Sequence, residues 1–169
     1  MPESQDRTIT LGIISDTHGQ PLHPAILDLF VGVNAILHAG DVGDESILDE
    51  LEALAPVFAV AGNTDISSAR LPLTRLVDLP TGKAAIAHGH LFPVDIDERA
   101  AALARTFAPA GVRLVVTGHS HQRLVRQLGS VLVLNPGAAC RKRFSRDDRG
   151  IALVRWTGDS VTAELCRLD

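Results

Sequence analysis

Apolar and polar positions along this chain fall into short blocks of two kinds. Thr8 to Ser15 is a β-branched apolar run that predicts a strand. Pro21 to Val31 sets Leu22, Ile26, Leu29 and Phe30 at helical spacing. Ala35 to His38 predicts a second strand, stopped by Ala39-Gly40-Asp41. Glu45 to Leu54 gathers Ile47, Leu48, Leu51 and Leu54 on one helical face, with Asp44 as its cap. Val57 to Val60 predicts a third strand, ended by Gly62-Asn63-Thr64-Asp65. Strand, helix, strand, helix, strand is the order of parallel α/β units.

The second half reads differently. Thr74 to Leu79 and Lys83 to His88 predict a hairpin through Pro80-Thr81-Gly82. Asp97 to Ala108 predicts a helix with an alanine-rich face, and Arg113 to Thr117 a strand. Two more hairpins follow: Arg123 to Gln127 with Val131 to Leu134, and Ile151 to Trp156 with Ser160 to Leu165. The expected fold class is α/β, with two mixed β-sheets packed face to face and helices outside, in a single domain over residues 1–169.

Composition narrows the function classes. A chain of 169 residues buries enough surface to fold without disulfides or a structural metal. The net charge of −4 offers no global basic field for nucleic acid or a membrane surface. Cys140 and Cys166 are the only cysteines and form no CxxC pattern, which excludes a zinc ribbon or a thioredoxin-type site. They read as packing residues of a reduced cytoplasmic protein. The polar start Met1-Pro2-Glu3-Ser4-Gln5-Asp6-Arg7 lacks a signal-peptide core. No apolar run approaches the roughly 20 residues of a membrane span.

Metal-ligand residue types sit at the ends of five strand-like runs, usually beside glycine. They are Asp16 and His18, then Asp41, then Asn63, then His88, then His119 and His121. Sites in open α/β sheets form beyond the carboxyl ends of strands. Side chains at i and i+2 of an extended segment point the same way. Asp16 with His18, and His119 with His121, are therefore expected to aim each pair at one point. Seven candidates exceed one tetrahedral ion and suit two ions sharing a carboxylate. Oxygen and imidazole donors without thiolate favour manganese, iron, zinc, nickel or cobalt over copper(I), magnesium or calcium.

The segments Ser15-Asp16-Thr17-His18-Gly19, Ala39-Gly40-Asp41, Gly62-Asn63-Thr64-Asp65, His88-Gly89-His90 and Gly118-His119-Ser120-His121 resemble the calcineurin-like metallophosphoesterases. They look most like the short bacterial and archaeal phosphodiesterases of that superfamily, and Asn135-Pro136-Gly137 matches a turn of that group. The resemblance implies a two-sheet αββα sandwich, in agreement with the strand pattern. It implies one ion on Asp16, His18 and His121, another on Asn63, His88 and His119, and Asp41 bridging them. It implies a small phosphate ester as substrate, hydrolysed by in-line attack of a hydroxide shared between the ions. Asp41 and Asn63 would carry catalytic roles, and Asn63 and His90 would touch the substrate. The cofactors would be two divalent transition ions, manganese foremost.

Such ions, about 3.5–4 Å apart, clamp the attacking and leaving oxygens. Two carboxylates offset only part of their charge, so an anion is drawn in although the chain is acidic. One position departs from the family pattern: Thr64 stands where many members carry a histidine that protonates the leaving group. Water, Asp65 or His90 would then supply that proton.

A relative of this fold serves as a metal-poor protein-binding scaffold, and such versions should have lost ligands that all stand here. DNA-cleaving members carry extra domains and basic surface, so a nucleic-acid polymer is not the expected partner. Self-association, frequent among relatives, is an open expectation. Singly, Asp16 and Asp41 would read as helix caps and His88 as a core histidine; five such coincidences at once do not hold. Asp65 reads as orienting Asn63 or capping a turn, His38 as packing or orienting a neighbour, and His23 as solvated at a helix start. Arg141-Lys142-Arg143, Arg146 and Arg149, interleaved with Asp147 and Asp148, read as a solvated loop.

Overall fold

The structure, a computed structural model, describes residues 7–169. The polar stretch 1–6 lies outside the described residues, apart from which the sequence blocks recur as elements. In chain order these are β1 (Thr8–Ile14), α1 (Pro24–Leu29), β2 (Ala35–His38), α2 (Ser46–Glu52), β3 (Val57–Ala59), β4 (Thr74–Leu79) and β5 (Gly82–Ala87). Then come α3 (Ile96–Phe107), a 3-10 turn (Ala108–Ala110), β6 (Val112–Val116), β7 (Leu124–Leu128), β8 (Val131–Asn135), β9 (Gly150–Thr157) and β10 (Ser160–Arg167).

Two five-stranded sheets form, in orders β10-β9-β1-β2-β3 and β4-β5-β6-β8-β7. Both are mixed. β1, β2 and β3 run parallel in the first, and β5, β6 and β8 in the second, while the three hairpins and the β1–β9 pair are antiparallel. Leu11, Ile13, Leu37, Ile86, Leu114, Val116, Leu134 and Trp156 fill one cluster from both sheets. The other face of the first sheet packs Ile14 and Ile36 on Ile26 and Phe30 of the α1 region and Ile47 and Leu51 of α2. The outer face of the second sheet packs Ala85, Val115 and Val133 on Leu103 and Phe107 of α3. Alternation along each strand thus sends neighbouring residues to different layers.

The first helix is shorter than the apolar pattern predicts. Pro24 occupies its first turn, and His23 caps it by accepting the Ala25 N–H at 3.1 Å. His23 is therefore a cap rather than a free surface group. Helix α3 begins at Ile96 because Asp95 accepts the N–H groups of Asp97 and Glu98, each at 3.0 Å. Among the described residues no helix is long and apolar enough to cross a membrane. The parallel strands of the two sheets place the carboxyl ends of β1, β2, β3, β5 and β6 along one edge of the sandwich.

Candidate metal centre

Each of the seven sequence candidates follows one of those strand ends, and the structure brings all seven together. Asp16 Oδ1 lies 3.2 Å from His121 Nε2 and 3.7 Å from His18 Nε2. The two imidazole nitrogens are 3.3 Å apart. Asn63 Oδ1 lies 3.1 Å from His88 Nε2 and 3.0 Å from His119 Nδ1. Asp41 Oδ2 stands between the two groups, 3.6 Å from His18 Nε2 and 3.3 Å from His88 Nε2.

The pairs do not reach these places as extended segments. Asp16, His18, Asp41, His119 and His121 have φ of 54°, 49°, 51°, 69° and 57°, and among the described residues no other non-glycine has a positive φ. Left-handed backbone at non-glycine residues stores strain and concentrates at functional sites. The expectation that each i, i+2 pair aims at one point is half corrected. Asp16 and His18 share a cluster, whereas His119 turns to Asn63 and His121 to Asp16. Left-handed turns rotate successive side chains in a way that strand alternation does not.

Neighbouring glycines make the close approach possible. A Cβ on Gly62 would strike the Asp41 carboxylate, and one on Gly118 would strike Ser15 Oγ and Asp16 Oδ2. Ser15 donates to Asp16 Oδ2 at 2.5 Å, and the His119 N–H donates to the same oxygen at 3.2 Å. Asp16 Oδ1, fully buried, accepts no aligned hydrogen bond. The Thr64 N–H donates to Asp41 Oδ1 at 2.9 Å, which turns Oδ2 toward the histidines.

Charge and tautomer decide what this arrangement suits. Burial alone would raise the Asp16 carboxyl, but the close His121 and His18 imidazoles outweigh it and hold Asp16 well below the usual carboxylate range. Asp41 goes the same way against burial, drawn down to about 2 by His88 and the Thr64 N–H. Burial would lower His88, yet the Asp41 and Asp16 carboxylates raise it; His121 is raised through Asp16 and Asp147 in the same manner. His119, desolvated and near His88, is lowered. Carboxylate oxygens and imidazole nitrogens thus converge on shared points, where protons on His88 and His121 offset the carboxylates in the metal-free site and a divalent cation would take their place. Two groups of three, Asp16-His18-His121 and Asp16-Asp41-His88, have donor atoms within 4.8 Å of one another. The buried, partnerless Asp16 oxygen and this donor set fit divalent ions.

His18, Asp41, Asn63, His119 and His121 line a cavity of about 400 Å³ together with Thr64, Val94, Arg99, Gln122, Arg143, Phe144, Arg146 and Asp147, while Asp16 and His88 lie buried outside its lining. Two arginines of the predicted solvated loop thus face the site, a correction to that reading. Arg149 instead points to the Ala139 and Asp169 carbonyls. His90 stands with its ring 5.5 Å from His88 and 6.2 Å from His119.

Asp65 does more than orient one neighbour. Its Oδ2 accepts the Val42 and Gly62 N–H groups at 3.0 and 2.9 Å, and its Oδ1 accepts that of Gly43 at 3.0 Å. It staples the Asp41 loop to the Asn63 loop, which removes it as the leaving-group proton source. His38, fully buried, donates to Thr17 Oγ1 and accepts from Gly40 N–H, as its packing role predicts. Burial pushes the Cys140 thiol up to about 11, in keeping with a packing residue. Sequence reasoning missed the placement of Asp147 against His121, because a charge run carries no periodic signal.

Residues 9–159 match the family model of the calcineurin-like phosphoesterase superfamily domain. A probable metallophosphoesterase of Methanothermobacter thermautotrophicus is 33% identical over 162 residues, covering 93% of this chain and 91% of that protein. A phosphodiesterase of Methanocaldococcus jannaschii is 29% identical over 147 residues, covering 77% of this chain and 84% of its own. In fold, vacuolar protein sorting 29 of Cryptosporidium parvum superposes with a TM-score of 0.78 at 18% identity, over 97% of this chain and 100% of that one.

Proposed function

The chain belongs to the calcineurin-like phosphoesterase superfamily, and from that premise we propose a dinuclear metal-dependent phosphodiesterase acting on a small phosphate ester. The observation that carries the reading is Asp41 Oδ2, set between two separate groups of donor atoms. One ion would rest on Asp16, His18 and His121, the other on Asn63, His88 and His119, with Asp41 shared. Manganese suits the mixture of three oxygen and four imidazole donors. Two divalent ions held there supply Lewis-acid polarisation of the phosphoryl group and a lowered pKa for the attacking water.

The chain's own groups do the rest. The Thr64 N–H holds Asp41, and Ser15 with the His119 N–H holds Asp16, so the carboxylates are oriented before substrate arrives. Asn63 directs its carbonyl oxygen to two histidines, which leaves its amide N–H groups to donate to a phosphate oxygen. Arg143 and Arg146 on the cavity wall offer guanidinium charge to non-reacting oxygens. His90, with its ring 5.5 Å from that of His88 and 6.2 Å from that of His119, is not among the residues that line the cavity, which argues against direct substrate contact. Thr64 lines the cavity but is a poor acid, and Asp65 is committed to backbone donors. Solvent then protonates the leaving group, which favours esters with good leaving groups.

The test is hydrolysis of bis(p-nitrophenyl) phosphate with added Mn²⁺ by wild type, Asp41→Ala and His119→Ala. Loss of turnover in both variants is expected. Equal activity in all three proteins overturns the reading. Fewer than one metal per chain after reconstitution would instead favour a metal-poor scaffold of the same fold.

A further inference from the structure

We propose that Asp147 is a positioning residue that couples the arginine-bearing wall of the cavity to His121. The inference rests on the two-ion reading above and extends it to a residue outside every motif that carries the family resemblance.

Asp147 lies in the most arginine-rich part of the chain, yet among the described residues it pairs with no arginine. It is 6% exposed. Its Oδ1 sits 3.2 Å from His121 Nδ1, within ion-pair range, and has no aligned hydrogen bond to any group. The opposite nitrogen of the same ring, Nε2, sits 3.2 Å from Asp16 Oδ1. One imidazole is thus held between two buried carboxylates. A carboxylate this close to Nδ1 favours the proton on that nitrogen, and a small rotation of either group completes the hydrogen bond that leaves the Nε2 lone pair facing the cluster, as a metal-binding imidazole requires.

The second oxygen serves a different purpose. Asp147 Oδ2 accepts the N–H groups of Arg143 and Phe144 at 2.8 and 2.9 Å, and the Asp147 N–H donates to the Phe144 carbonyl at 3.1 Å. These bonds close the turn that sets Arg143 and Phe144 on the cavity wall. The Phe144 ring centroid is 6.4 Å from that of His121. The next residue continues the grip, since the Asp148 N–H donates to the His121 carbonyl at 2.7 Å. A ligand that moves this turn moves the carboxylate behind His121, and occupancy at His121 reports back to the turn by the same path.

Asparagine separates the two arms. In Asp147→Asn the amide oxygen can still accept from Arg143 and Phe144, whereas the amide N–H₂ opposes the Nδ1–H of His121. Asp147→Ala removes both arms. Calorimetric titration of each metal-free protein with Zn²⁺ should show affinity at one of two sites falling about 10–100-fold in both variants. In ¹⁵N spectra of zinc-loaded, histidine-labelled protein, the Nδ1–H signal of His121 should be lost or shifted in both. At saturating Mn²⁺, KM for bis(p-nitrophenyl) phosphate should rise in Asp147→Ala and stay near wild type in Asp147→Asn. Melting in EDTA controls for folding. Wild-type affinity at both sites in Asp147→Asn overturns the coupling while leaving the two-ion reading intact. A wild-type protein that binds no Zn²⁺ overturns both.

Discussion

His88 donates its Nδ1–H to the main-chain carbonyl of Ala39 at 2.7 Å. The bond settles the tautomer and turns the Nε2 lone pair toward Asp41 Oδ2 and Asn63 Oδ1. Replacing the ring by alanine leaves a buried carbonyl without its donor. We expect His88→Ala to lose one of two bound metals and about 1–3 kcal/mol of stability. Metal content and urea unfolding in EDTA measure the two effects separately.

Metal removal should be felt by the fold itself. Asp16 and Asp41 are buried carboxylates on left-handed backbone, and a cation that binds only the folded chain relieves their crowding. Saturation at about 100 times the dissociation constant adds roughly 2.7 kcal/mol per site. The melting temperature should therefore rise on adding Mn²⁺ or Zn²⁺ and fall back with EDTA. In Asp16→Asn/Asp41→Asn the rise should vanish; an undiminished rise would place the binding elsewhere.

Asp65 touches no substrate in this scheme, yet its loss should damage the site. Asp65→Ala strands the N–H groups of Val42, Gly43 and Gly62 together. A cost of about 2–4 kcal/mol follows from several charge-assisted bonds lost at once. Metal affinity should drop with it, because the Asp41 and Asn63 loops are no longer held in register. Asp65→Asn, which keeps one accepting oxygen, should fall between wild type and alanine in both assays.

Acid should destabilise the metal-free protein through His38. Burial pushes His38 from the ordinary 6.5 down to about 4, and the Nδ1 lone pair that accepts the Gly40 N–H exists only in the neutral ring. The unfolded chain takes up a proton in that interval and the folded chain does not. This contribution is complete above pH 6.5 and disappears as pH falls toward 4, about 3 kcal/mol in all. Urea unfolding in EDTA should show wild type losing more stability than His38→Gln between pH 7.5 and roughly pH 4. Equal losses would remove His38 from the account.

Arg143 and Arg146 stand on the cavity wall without a carboxylate within ion-pair range among the described residues. Charge there should act on substrate capture more than on turnover. Arg143→Ala/Arg146→Ala is expected to raise KM about tenfold, near 1.4 kcal/mol, with kcat changed little. A matching fall in kcat at constant KM would show that the pair acts in the transition state instead.

Most elements were legible before the fold was known, because each depends on neighbours in the chain. The β-branched apolar run along Thr8–Ile14 and helical spacing along Ile96–Phe107 are local facts, and so is the glycine beside five of the seven ligand candidates. The seven donors could be named from residue type and strand-end position. Their division into two groups was implied by the family resemblance and not by the side-chain pattern, which does not encode the left-handed φ at His119 and His121. Pro24 and His23 shortened the first helix for a reason visible only once the cap bond was seen.

Asp65 and Asp147 mark the boundary most clearly. Each is an ordinary acid in a polar stretch, and each takes its role from backbone donors or a ring supplied by a distant loop. Residue order alone was enough for the elements, the family and the residues that gather at one place, since periodicity and short motifs are properties of adjacent residues. Which atom meets which, and which carboxylates hold the others in place, depended on loops from two sheets arriving at one edge. That arrival is governed by backbone dihedrals and packing between segments far apart in the chain.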